Sequence, residues 1–343
     1  MKKFLIGFFV ILFIAALAAG FAAFHLFEKP NVITNGKAQA FLYIHTGAAL
    51  QDVQTSLQHH GYLRHPNTFA LAARLMHYEA AIKPGKYKLQ QGMNNRALIN
   101  LLRSGQQTPV KISLENIRTK QQLIARIHNA LEADSLSLQV LLADSNFLKQ
   151  SDHTPSNVMS IFINGSYEFQ WNTNAEQFMH RMEQEYQHFW NAERKQAAER
   201  MGMKPSEVTI IASIVQLETG KDDERSTIAG VYLNRYRKNW KLEADPTLVF
   251  ATGDFTARRI LNEHKAVDSP YNTYKIVGLP PGPICIPACK TLDAVLENKK
   301  HNFMFFCAKE DFSGYHNFAV NYSEQLKNAR RFHQALNKRN IKS

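Results

Sequence analysis

The chain begins with an uncharged apolar run that is long enough to cross a membrane. Residues 4–24, which read FLIGFFVILFIAALAAGFAAF, contain no charged side chain. At about 1.5 Å per residue, a helix of this length spans about 31 Å, close to the thickness of a bilayer's hydrocarbon core. We therefore predict a transmembrane anchor over residues 4–24 and expect the folded domains to follow it.

The charges before this run predict which way it crosses the membrane. Lys2 and Lys3 lie on its N-terminal side, and positive charge favours the cytoplasmic side. We expect residues 1–3 to stay in the cytoplasm and the rest of the chain to lie outside the plasma (inner) membrane of a bacterium. A cleaved signal peptide is the alternative because small residues cluster over 18–23, although the apolar part of such a peptide usually has about 7–15 residues.

The basic character of the chain limits its partners. It has 41 lysines and arginines against 29 acidic residues, for a formal net charge of +12. This balance favours nucleic acid, anionic lipid or an acidic polymer. The sequence has no zinc-finger spacing and no RNA-binding aromatic signature, and export removes the chain from DNA. We therefore expect no nucleic-acid partner.

Neither a metal nor another cofactor is expected from the sequence. The 14 histidines lie without metal-ligand spacing, and H-E-x-x-H, G-x-S-x-G and a phosphate-binding glycine loop are absent. Three cysteines are too few for a disulfide framework. Cys285 and Cys289 lie four residues apart, and a bridge between them is left open.

The pattern of apolar residues predicts an α+β fold with two domains after the anchor, a number that 343 residues also favour. Residues 25–37 are predicted to form a linker. Residues 38–108 predict a small α+β module in the order strand, helix, helix, strand, helix. Residues 109–343 predict a larger α+β domain.

Two features of the larger domain are expected from its composition. Residues 174–203 are rich in charged and helix-forming side chains and predict one long helix. Beyond Trp240 the chain is rich in Pro, Gly, Asn and Tyr, which favours irregular structure around a site. Strands are predicted near residues 304–306 and 316–318, followed by a final helix.

One acidic residue lies on the apolar face of a predicted helix over residues 205–219. Four side chains follow a 0, 3, 4, 7 spacing on this face: Ile211, Ile214, Val215 and Glu218. Gln216 should point away from it. A carboxyl group in apolar surroundings has a raised pKa and can act as a general acid near neutral pH. Glu218 is therefore the candidate catalytic residue, and the ordinary alternative is a last-turn glutamate paired with an arginine.

No second carboxylate accompanies Glu218 on this helix, although classical glycosidases use a pair. A paired mechanism would require a neighbouring acid to fold back toward Glu218. The candidates for that role are Asp222, Asp223, Glu224 and Asp245.

Four ordered stretches carry a resemblance to a known family. The first is ASIVQLET at residues 212–219, and the later ones are AGVYLNRYRKNWKLEADPTLVF, SPYNTYKIVGLPPGPICIPA and GYHNFAVNYSEQLKNARRF. They are similar to the motifs of the endolytic murein transglycosylases, also called the MltG or YceG-like family, whose signature reads ASIVEKET. Residues 38–105 resemble the LysM-like module of that family. The resemblance extends over residues 38–332.

The resemblance implies an activity and assigns its catalytic acid to Glu218. Members of the family cleave the β-1,4 bond between N-acetylmuramic acid and N-acetylglucosamine in nascent peptidoglycan and leave 1,6-anhydromuramic ends. One carboxyl group suffices because the nucleophile is the sugar's own C6 hydroxyl, so the group acts as acid and then as base. The family often has two acids in this signature. Gln216 replaces the first of them here.

Further residues in the matching motifs are candidates for the substrate site. Asn234 is expected to orient Glu218. The other candidates offer hydroxyl, carboxylate, amide or aromatic groups to a glycan: Asp245, Thr247, Tyr271, Asn272, Thr273 and Tyr274. The alternative for each is structural, as turn geometry at Asp245-Pro246 or as core packing of the tyrosines.

Two other functions remain open from the sequence. A peptidoglycan hydrolase, or muramidase, would leave reducing muramic ends and would need a base to activate water. A non-catalytic cell-wall-binding protein would bind the polymer without cutting it. Under all three functions, the expected partners are peptidoglycan glycan strands and the plasma membrane, and a cell-wall synthase complex is a further candidate.

Overall fold

The structure, a computed structural model, describes residues 2–34, 36, 39–256, 261–297 and 299–339. Of the predicted anchor flank, linker and module, Met1, Asn35, Lys37 and Ala38 lie outside the described residues. The chain divides into two compact units. The first unit contains residues 1–111, 130–133 and 168–174, and the second contains residues 112–129, 134–167 and 175–343. The fold is mixed α+β.

The N-terminal helix α1, Lys2–Ala23, is continued by a π-helical turn over Phe24–Glu28. Within the described residues it belongs to the one helix long and apolar enough to cross a membrane, Lys3–Glu28, and the apolar part of that helix is unburied. Large apolar side chains such as Phe4 and Ile11 are exposed all along it. Its length and composition are consistent with the predicted membrane anchor.

The first unit follows the predicted order of strand, helix, helix, strand and helix. Its elements are β1 Ala40–Ile44, α2 Leu50–His59, α3 Pro66–Leu75, β2 Gly85–Leu89 and α4 Asn95–Ser104. The two strands pair antiparallel, with Leu42 opposite Tyr87. Alternate side chains of each strand are buried against the helices, as a half-buried strand requires. The likeness to a LysM module and the boundary at residue 108 stay predictions.

The segment predicted as a linker is built into the first unit. Val32 is 1% exposed and belongs to the unit's core, and the Val32 backbone N–H bonds to the Met93 carbonyl at 2.9 Å. Asn31 is buried as well, and its side chain bonds to Asn95 at 2.7 Å. These residues therefore stabilise the unit instead of connecting it loosely to the anchor.

From Val110 onward the chain is mostly helical. The helices are α5 Lys120–His128, α6 Ser135–Leu141, α7 Ser145–Lys149, α8 Ala175–Phe189, α9 Ala192–Arg200, α10 Pro205–Glu218, α11 Arg225–Arg237, α12 Asp245–Thr252, α13 Asn262–Ala266, α14 Cys289–Glu297 and α15 Tyr322–Lys338. The strands are β3 Val110–Ser113, β4 Ser166–Phe169, β5 Phe305–Ala308 and β6 His316–Ala319. The strands form two-stranded sheets, β3 with β4 and β5 with β6.

Helix α10 lies in the core of the second unit. It packs against α9, α11, α12 and α14, and its side chains from Val208 to Val215 are all buried. Pro205 occupies its first turn, where the missing N–H costs little. The helix ends at Glu218, and Thr219 is already extended. Glu218 is thus the residue at which a core helix reaches partly accessible space.

The prediction of one long helix over residues 174–203 is wrong. The segment breaks after Trp190, which is fully buried, and Asn191 starts the new helix α9. The Asn191 side-chain oxygen accepts the Arg194 backbone N–H at 3.0 Å. Such an N-cap satisfies a free N–H of the new first turn and fixes the break.

The prediction of irregular chain beyond Trp240 is also wrong in part, because α12, α13 and α14 lie there. Pro246 is in the first turn of α12, and Gly253 ends that helix with a φ of 72°. Proline is accepted at such starts and glycine at such ends. Pro246 and Gly253 therefore mark helix ends, whereas residues 267–288 are irregular as predicted.

Candidate active site

Glu218 is positioned by a helix that is buried over most of its length. The predicted apolar stripe is confirmed for Ile211, Ile214 and Val215, which are each fully buried. Ile210, at 5%, and Ala212, at 0%, are equally inaccessible, so α10 is apolar on nearly all sides. The carboxyl group is presented where this helix ends, and the surrounding protein supplies its environment.

The surroundings of Glu218 favour its protonated form. Burial raises its pKa from 4.5 to about 7, the Tyr232 hydrogen bond opposes this shift, Asp245 adds to it through its negative charge, and Arg235 opposes it. The Tyr232 hydroxyl donates to Glu218 Oε1 at 2.5 Å. Within the described residues, no basic side chain forms an ion pair with Glu218. The carboxyl is therefore able to hold a proton at neutral pH and to release it.

Arg235 does not form the arginine pair that was the ordinary alternative for Glu218. Its guanidinium donates to the Met304 carbonyl at 2.8 Å and to the Leu242 carbonyl at 2.5 Å. Its remaining ionic contact is with Glu243 at 3.6 Å. Arg235 thus acts on Glu218 only through its field, which lowers the pKa of the carboxyl against the larger effect of burial.

The tyrosine that contacts Glu218 is itself held in place by packing. Tyr232 lies on α11, is 2% exposed, and has a pKa well above its usual value because of burial and the Glu218 charge. Its ring meets Phe306 edge to face at 5.9 Å. Phe306 in turn meets the His316 ring at 5.3 Å. Residues of α11, β5 and β6 therefore fix the hydroxyl that bonds to Glu218.

Behind this packing, Glu224 anchors strand β6. Its carboxylate accepts the His316 backbone N–H at 2.9 Å and contacts His316 Nδ1 at 2.9 Å. Both side chains are largely buried. Of the four acids named as possible partners of Glu218, Glu224 is thus engaged elsewhere, and Asp223 accepts from the Tyr315 hydroxyl.

Asp245 and Tyr274 form the accessible polar pair of the site. The Tyr274 hydroxyl donates to Asp245 Oδ1 at 2.6 Å. Asp245 is exposed and Tyr274 is partly exposed. Burial, the hydrogen bond to Asp245 and the negative charges of Asp245 and Glu218 raise the pKa of Tyr274. These two side chains can reach a ligand beside Glu218.

Thr247, Asn272 and Thr273 are each fully buried and bond internally. The Thr247 and Thr273 hydroxyls are 2.8 Å apart, and Thr273 Oγ1 also accepts the Ala244 N–H at 3.0 Å. The Asn272 amide donates to the carbonyls of Lys265 at 3.0 Å and Val267 at 2.7 Å. Their side chains offer no surface to a ligand, so they position the segments that carry Asp245 and Tyr274.

Asn234 is occupied by backbone contacts. Its amide donates to the carbonyls of His301 at 2.8 Å and Phe303 at 3.0 Å. The hydrogen bond that orients Glu218 comes instead from Tyr232, a residue that the sequence reasoning missed. Both residues lie on α11, but no spacing rule within one helix indicates which of its side chains will meet a carboxyl on another.

Tyr271 lies between aromatic packing and a tight backbone turn. Its ring packs on Phe250 at 4.7 Å, and it is partly exposed. A Cβ at Gly282 would collide with the Ser156 carbonyl oxygen and would lie 3.1 Å from the Tyr271 hydroxyl. Position 282 therefore requires glycine, because the backbones of Gly282 and Ser156 approach so closely.

Gln216 does not point freely away from the buried face, as the sequence suggested. Its Oε1 accepts the Ala288 N–H at 3.1 Å and the Thr291 hydroxyl at 2.6 Å. It thereby connects the end of α10 to the start of α14. An amide oxygen accepts both bonds without adding a second negative charge near Glu218.

The cysteines are all free thiols. Cys285 Sγ donates to the Ser213 carbonyl and Cys289 Sγ to the Asn164 carbonyl, each at 3.4 Å. Across the described residues, no group of three or more His, Cys, Asp or Glu side chains could hold a metal ion.

Comparisons with known proteins agree with this architecture. An endolytic murein transglycosylase of Streptococcus pneumoniae strain D39 is 27% identical over 346 aligned residues, which cover 90% of this chain and 61% of that protein. One from Bacillus subtilis is 36% identical over 114 residues, which cover 32% of this chain and 31% of that protein. The chain thus spans under two thirds of the length of these relatives.

A crystal structure of a YceG-like protein from Listeria monocytogenes shares the fold. It aligns with a TM-score of 0.57 and 23% identity, over 84% of this chain and 98% of that one. The model of the YceG-like family matches residues 42–331, which is most of the sequence. The chain therefore belongs to the YceG-like family.

Proposed function

We propose that the chain is an endolytic lytic transglycosylase of peptidoglycan. It would cleave the β-1,4 bond between N-acetylmuramic acid and N-acetylglucosamine in glycan strands. The observation that carries this proposal is Glu218, which has no ion-pair partner among the described residues and whose pKa of about 7 lets it hold a proton at neutral pH. The relatives named endolytic murein transglycosylases support the same reaction.

The proposed reaction uses one carboxyl group twice. Protonated Glu218 donates its proton to the glycosidic oxygen, and the bond from that oxygen to the muramoyl C1 breaks. The resulting carboxylate takes the proton of the muramoyl C6 hydroxyl, whose oxygen bonds to C1 and closes the 1,6-anhydro ring. Glu218 ends the cycle protonated, so the reaction needs neither water nor a second carboxylate.

The neighbours of Glu218 suit these two roles. The Tyr232 hydroxyl bonds to Oε1 and stabilises the carboxylate that forms after the first proton transfer. Burial favours the acid form before that step. Opposed effects of this kind leave the pKa close to the operating pH, where one group can both give and take a proton.

The remaining candidates divide by accessibility. Asp245 and Tyr274 are proposed to contact sugar hydroxyls, and Tyr271 to border the same surface. The polar residues Asn234, Thr247, Asn272 and Thr273 are proposed to position these groups, since their side chains bond to the protein itself.

The apolar N-terminal helix supports a location for the reaction. We propose that residues 4–24 anchor the chain in the plasma membrane, with residues 1–3 in the cytoplasm and the second unit on the extracytoplasmic side. Glycan strands emerging at the membrane would then be the nearest substrate, and a cell-wall synthase complex would be the protein partner closest to that substrate.

The test uses the full chain in detergent with purified glycan strands. Product ends are identified by mass spectrometry for the unmodified chain, Glu218→Gln and the control Glu207→Gln. Glu207 lies on the same helix and its carboxylate caps the first turn, a contact that glutamine retains. We expect anhydromuramic ends from the unmodified chain and the control, and a loss of about 100-fold or more in Glu218→Gln.

Other outcomes would replace the proposal. Reducing muramic ends would establish a muramidase and direct attention to Asp245 as the base. Binding of strands without any cleavage, in the presence of the membrane, would indicate a cell-wall-binding protein. Equal activity in Glu218→Gln would remove Glu218 from the chemistry.

A further inference from the structure

A pocket in the second unit opens beside the last turn of α10. It has a volume of about 380 Å³, within the range of small-ligand sites, about 300–1,000 Å³. Its polar walls are formed by Glu115, Asn116, Arg118, Asn164 and Gln216. Leu217, Cys285, Ile286 and Ala288 complete it. Gln216 and Leu217 lie on α10, the helix that ends at Glu218. None of the nine residues is among the substrate-site candidates from the sequence.

The pocket begins one residue from Glu218. Leu217 lines it, and adjacent Cα atoms are about 3.8 Å apart. Consecutive side chains of a helix point about 100° apart, because one turn takes 3.6 residues. The carboxyl of Glu218 and this pocket therefore open on adjacent sides of the same turn.

The pocket presents hydrogen-bond donors that the protein does not use. The Arg118 guanidinium lies 5.3 Å from the centre of the Phe255 ring, and in the described part of the chain it forms no ion pair or hydrogen bond. The side-chain amides of Asn116 and Asn164 likewise have no hydrogen-bond partner among the described residues. A guanidinium binds a carboxylate with two parallel bonds, and amides bind peptide groups.

One acid, Glu115, shares the pocket with Arg118. Its carboxylate is exposed and, within the described residues, unpaired. Positive and negative groups on one rim suit a ligand that carries both a carboxylate and an amino group. They do not suit a simple anion such as a phosphate, which Glu115 would repel.

The walls of the pocket are fixed by backbone hydrogen bonds. The Ile286 N–H donates to the Ile117 carbonyl and the Leu114 N–H to the Gly165 carbonyl, both at 2.9 Å. The Arg118 N–H donates to Gln122 Oε1 at 2.8 Å. Asn116 holds a left-handed φ of 58°, a conformation that asparagine adopts more readily than most residues. The pocket is therefore formed before any ligand arrives.

We infer that this pocket binds the peptide stem of the glycan substrate, with Arg118 holding a stem carboxylate. The inference rests on the proposed function, because the stem is attached to the same muramic sugar whose C1 would react at Glu218. A stem on that sugar lies a few bonds from the broken linkage, and the pocket lies one residue from the acid. The neutral sugar rings themselves would give the Arg118 charge no partner.

The test compares strands that carry stems with the same strands after an amidase has removed them. The full chain in detergent is assayed as the unmodified protein, Arg118→Gln, Arg118→Lys and the control Lys149→Gln. Lys149 is an exposed basic residue at the end of α7, outside the pocket. Rates of anhydromuramic end formation give kcat/KM and KM for each substrate.

We expect the unmodified chain and Lys149→Gln to prefer stem-bearing strands by roughly tenfold or more, as one charged hydrogen-bonded contact provides. Arg118→Gln should lose that preference through KM while cutting stripped strands as the unmodified chain does. Arg118→Lys should keep part of it, because lysine retains the charge without the bidentate geometry. A preference unchanged in Arg118→Gln, or absent in the unmodified chain, would overturn the inference.

A binding measurement separates this inference from the proposed reaction. Calorimetry would use Glu218→Gln and Glu218→Gln/Arg118→Gln with a soluble muramic disaccharide, either bearing or lacking its peptide stem. Tighter binding of the stem-bearing form, by roughly tenfold and lost with Arg118→Gln, would support the pocket even if no cleavage occurs. Equal binding of both forms would reject it even if Glu218 proves catalytic.

Discussion

A buried asparagine pair in the first unit and the Glu218 carboxyl in the second unit satisfy their hydrogen-bonding needs in opposite ways. In the first unit, Asn31 and Asn95 are 2% and 1% exposed. Asn31 donates to Asn95 at 2.7 Å and accepts the His65 N–H at 2.7 Å, while Asn95 donates to the Leu26 carbonyl at 2.7 Å. In the second unit, the one hydrogen bond at the Glu218 carboxyl comes from Tyr232, in the part of the chain that the structure describes.

The difference separates a polar group that stabilises from one that can react. The asparagine pair, Asn31 and Asn95, is neutral at every pH and has its donors and acceptors matched, so its burial costs little. Burial destabilises the ionised form of Glu218, and this raises the pKa of its carboxyl group to about 7. A site for proton transfer retains this mismatch, which a purely structural site removes.

The prediction with the largest expected effect concerns how the free energy of unfolding depends on pH. The pKa of Glu218 rises from 4.5 to about 7 on folding. Protonated Glu218 therefore contributes its full stabilising free energy below pH 4.5, and this contribution is lost as pH rises through 7. At about 1.4 kcal/mol per unit, the unmodified chain should lose about 3 kcal/mol of unfolding free energy over that window. Glu218→Gln does not ionise and should lack this loss.

Urea titrations of both chains between pH 4 and 9 would measure the difference, with hydrogen exchange of α10 peptides reporting on the second unit alone. Subtracting one chain from the other removes the titration of all other groups. Two stability curves that run parallel across the window would show that Glu218 has an ordinary pKa. The asparagine pair should show no comparable pH dependence in α4 peptides.

The second prediction breaks the matched pair in the first unit. Asn95→Ala removes the shortest acceptor of the Asn31 amide and the donor to the Leu26 carbonyl. It should cost about 1–3 kcal/mol, because buried polar groups that lose hydrogen bonds are expensive. Hydrogen exchange in α4 should reveal the loss, while the cleavage rate in the second unit stays unchanged. The neighbouring Asn94→Ala removes the helix cap that accepts the Ala97 N–H and an exposed bond to Glu28, and should cost about 1 kcal/mol.

An effect of Asn95→Ala smaller than that of Asn94→Ala would contradict the role assigned to the asparagine pair. A loss of glycan cleavage in Asn95→Ala, measured below its unfolding transition, would instead connect the pair to the reaction.

The two units also differ in how far their sequences predicted them. The first unit's order of elements follows from local periodicity, because alternate residues of β1 and β2 face one set of helices. In the second unit, periodicity identified the buried face of α10 and the acid at its end. It missed α12, α13 and α14. In α12, Pro246 lies in the first turn and Gly253 ends the helix, whereas the prolines and glycines of residues 278–283 do lie in irregular chain.

The environment of Glu218 could not be predicted in the same way. Tyr232, Arg235 and Asp245 act on the carboxyl from other helices, and their arrangement arises from the packing of α10 against α11 and α12. Sequence spacing describes neighbours on one helix and is silent about neighbours across two. For the same reason, Thr247 and Thr273 were predicted as ligand contacts, whereas their hydroxyls bond to each other in the core.

The prediction with the smallest expected effect concerns the direction in which two neighbours, Asp245 and Tyr232, shift the pKa of Glu218. If protonated Glu218 starts the reaction, kcat/KM should fall about tenfold per unit above its pKa. Asp245 raises that pKa through its charge and the Tyr232 hydrogen bond lowers it. Asp245→Asn should therefore move the falling limb to lower pH and Tyr232→Phe to higher pH, each by less than about one unit.

The opposite signs make this test informative although each shift is small. Loss of a structural contact would lower the rate without moving the limb, or would move it the same way in both variants, and either result would contradict the assignment. Asp152→Asn serves as the control, since that acid is paired with Lys204 on the surface and should leave the limb in place. Rates on stem-free strands would keep the measurement independent of Arg118, so the two limbs would report on the Glu218 proton alone.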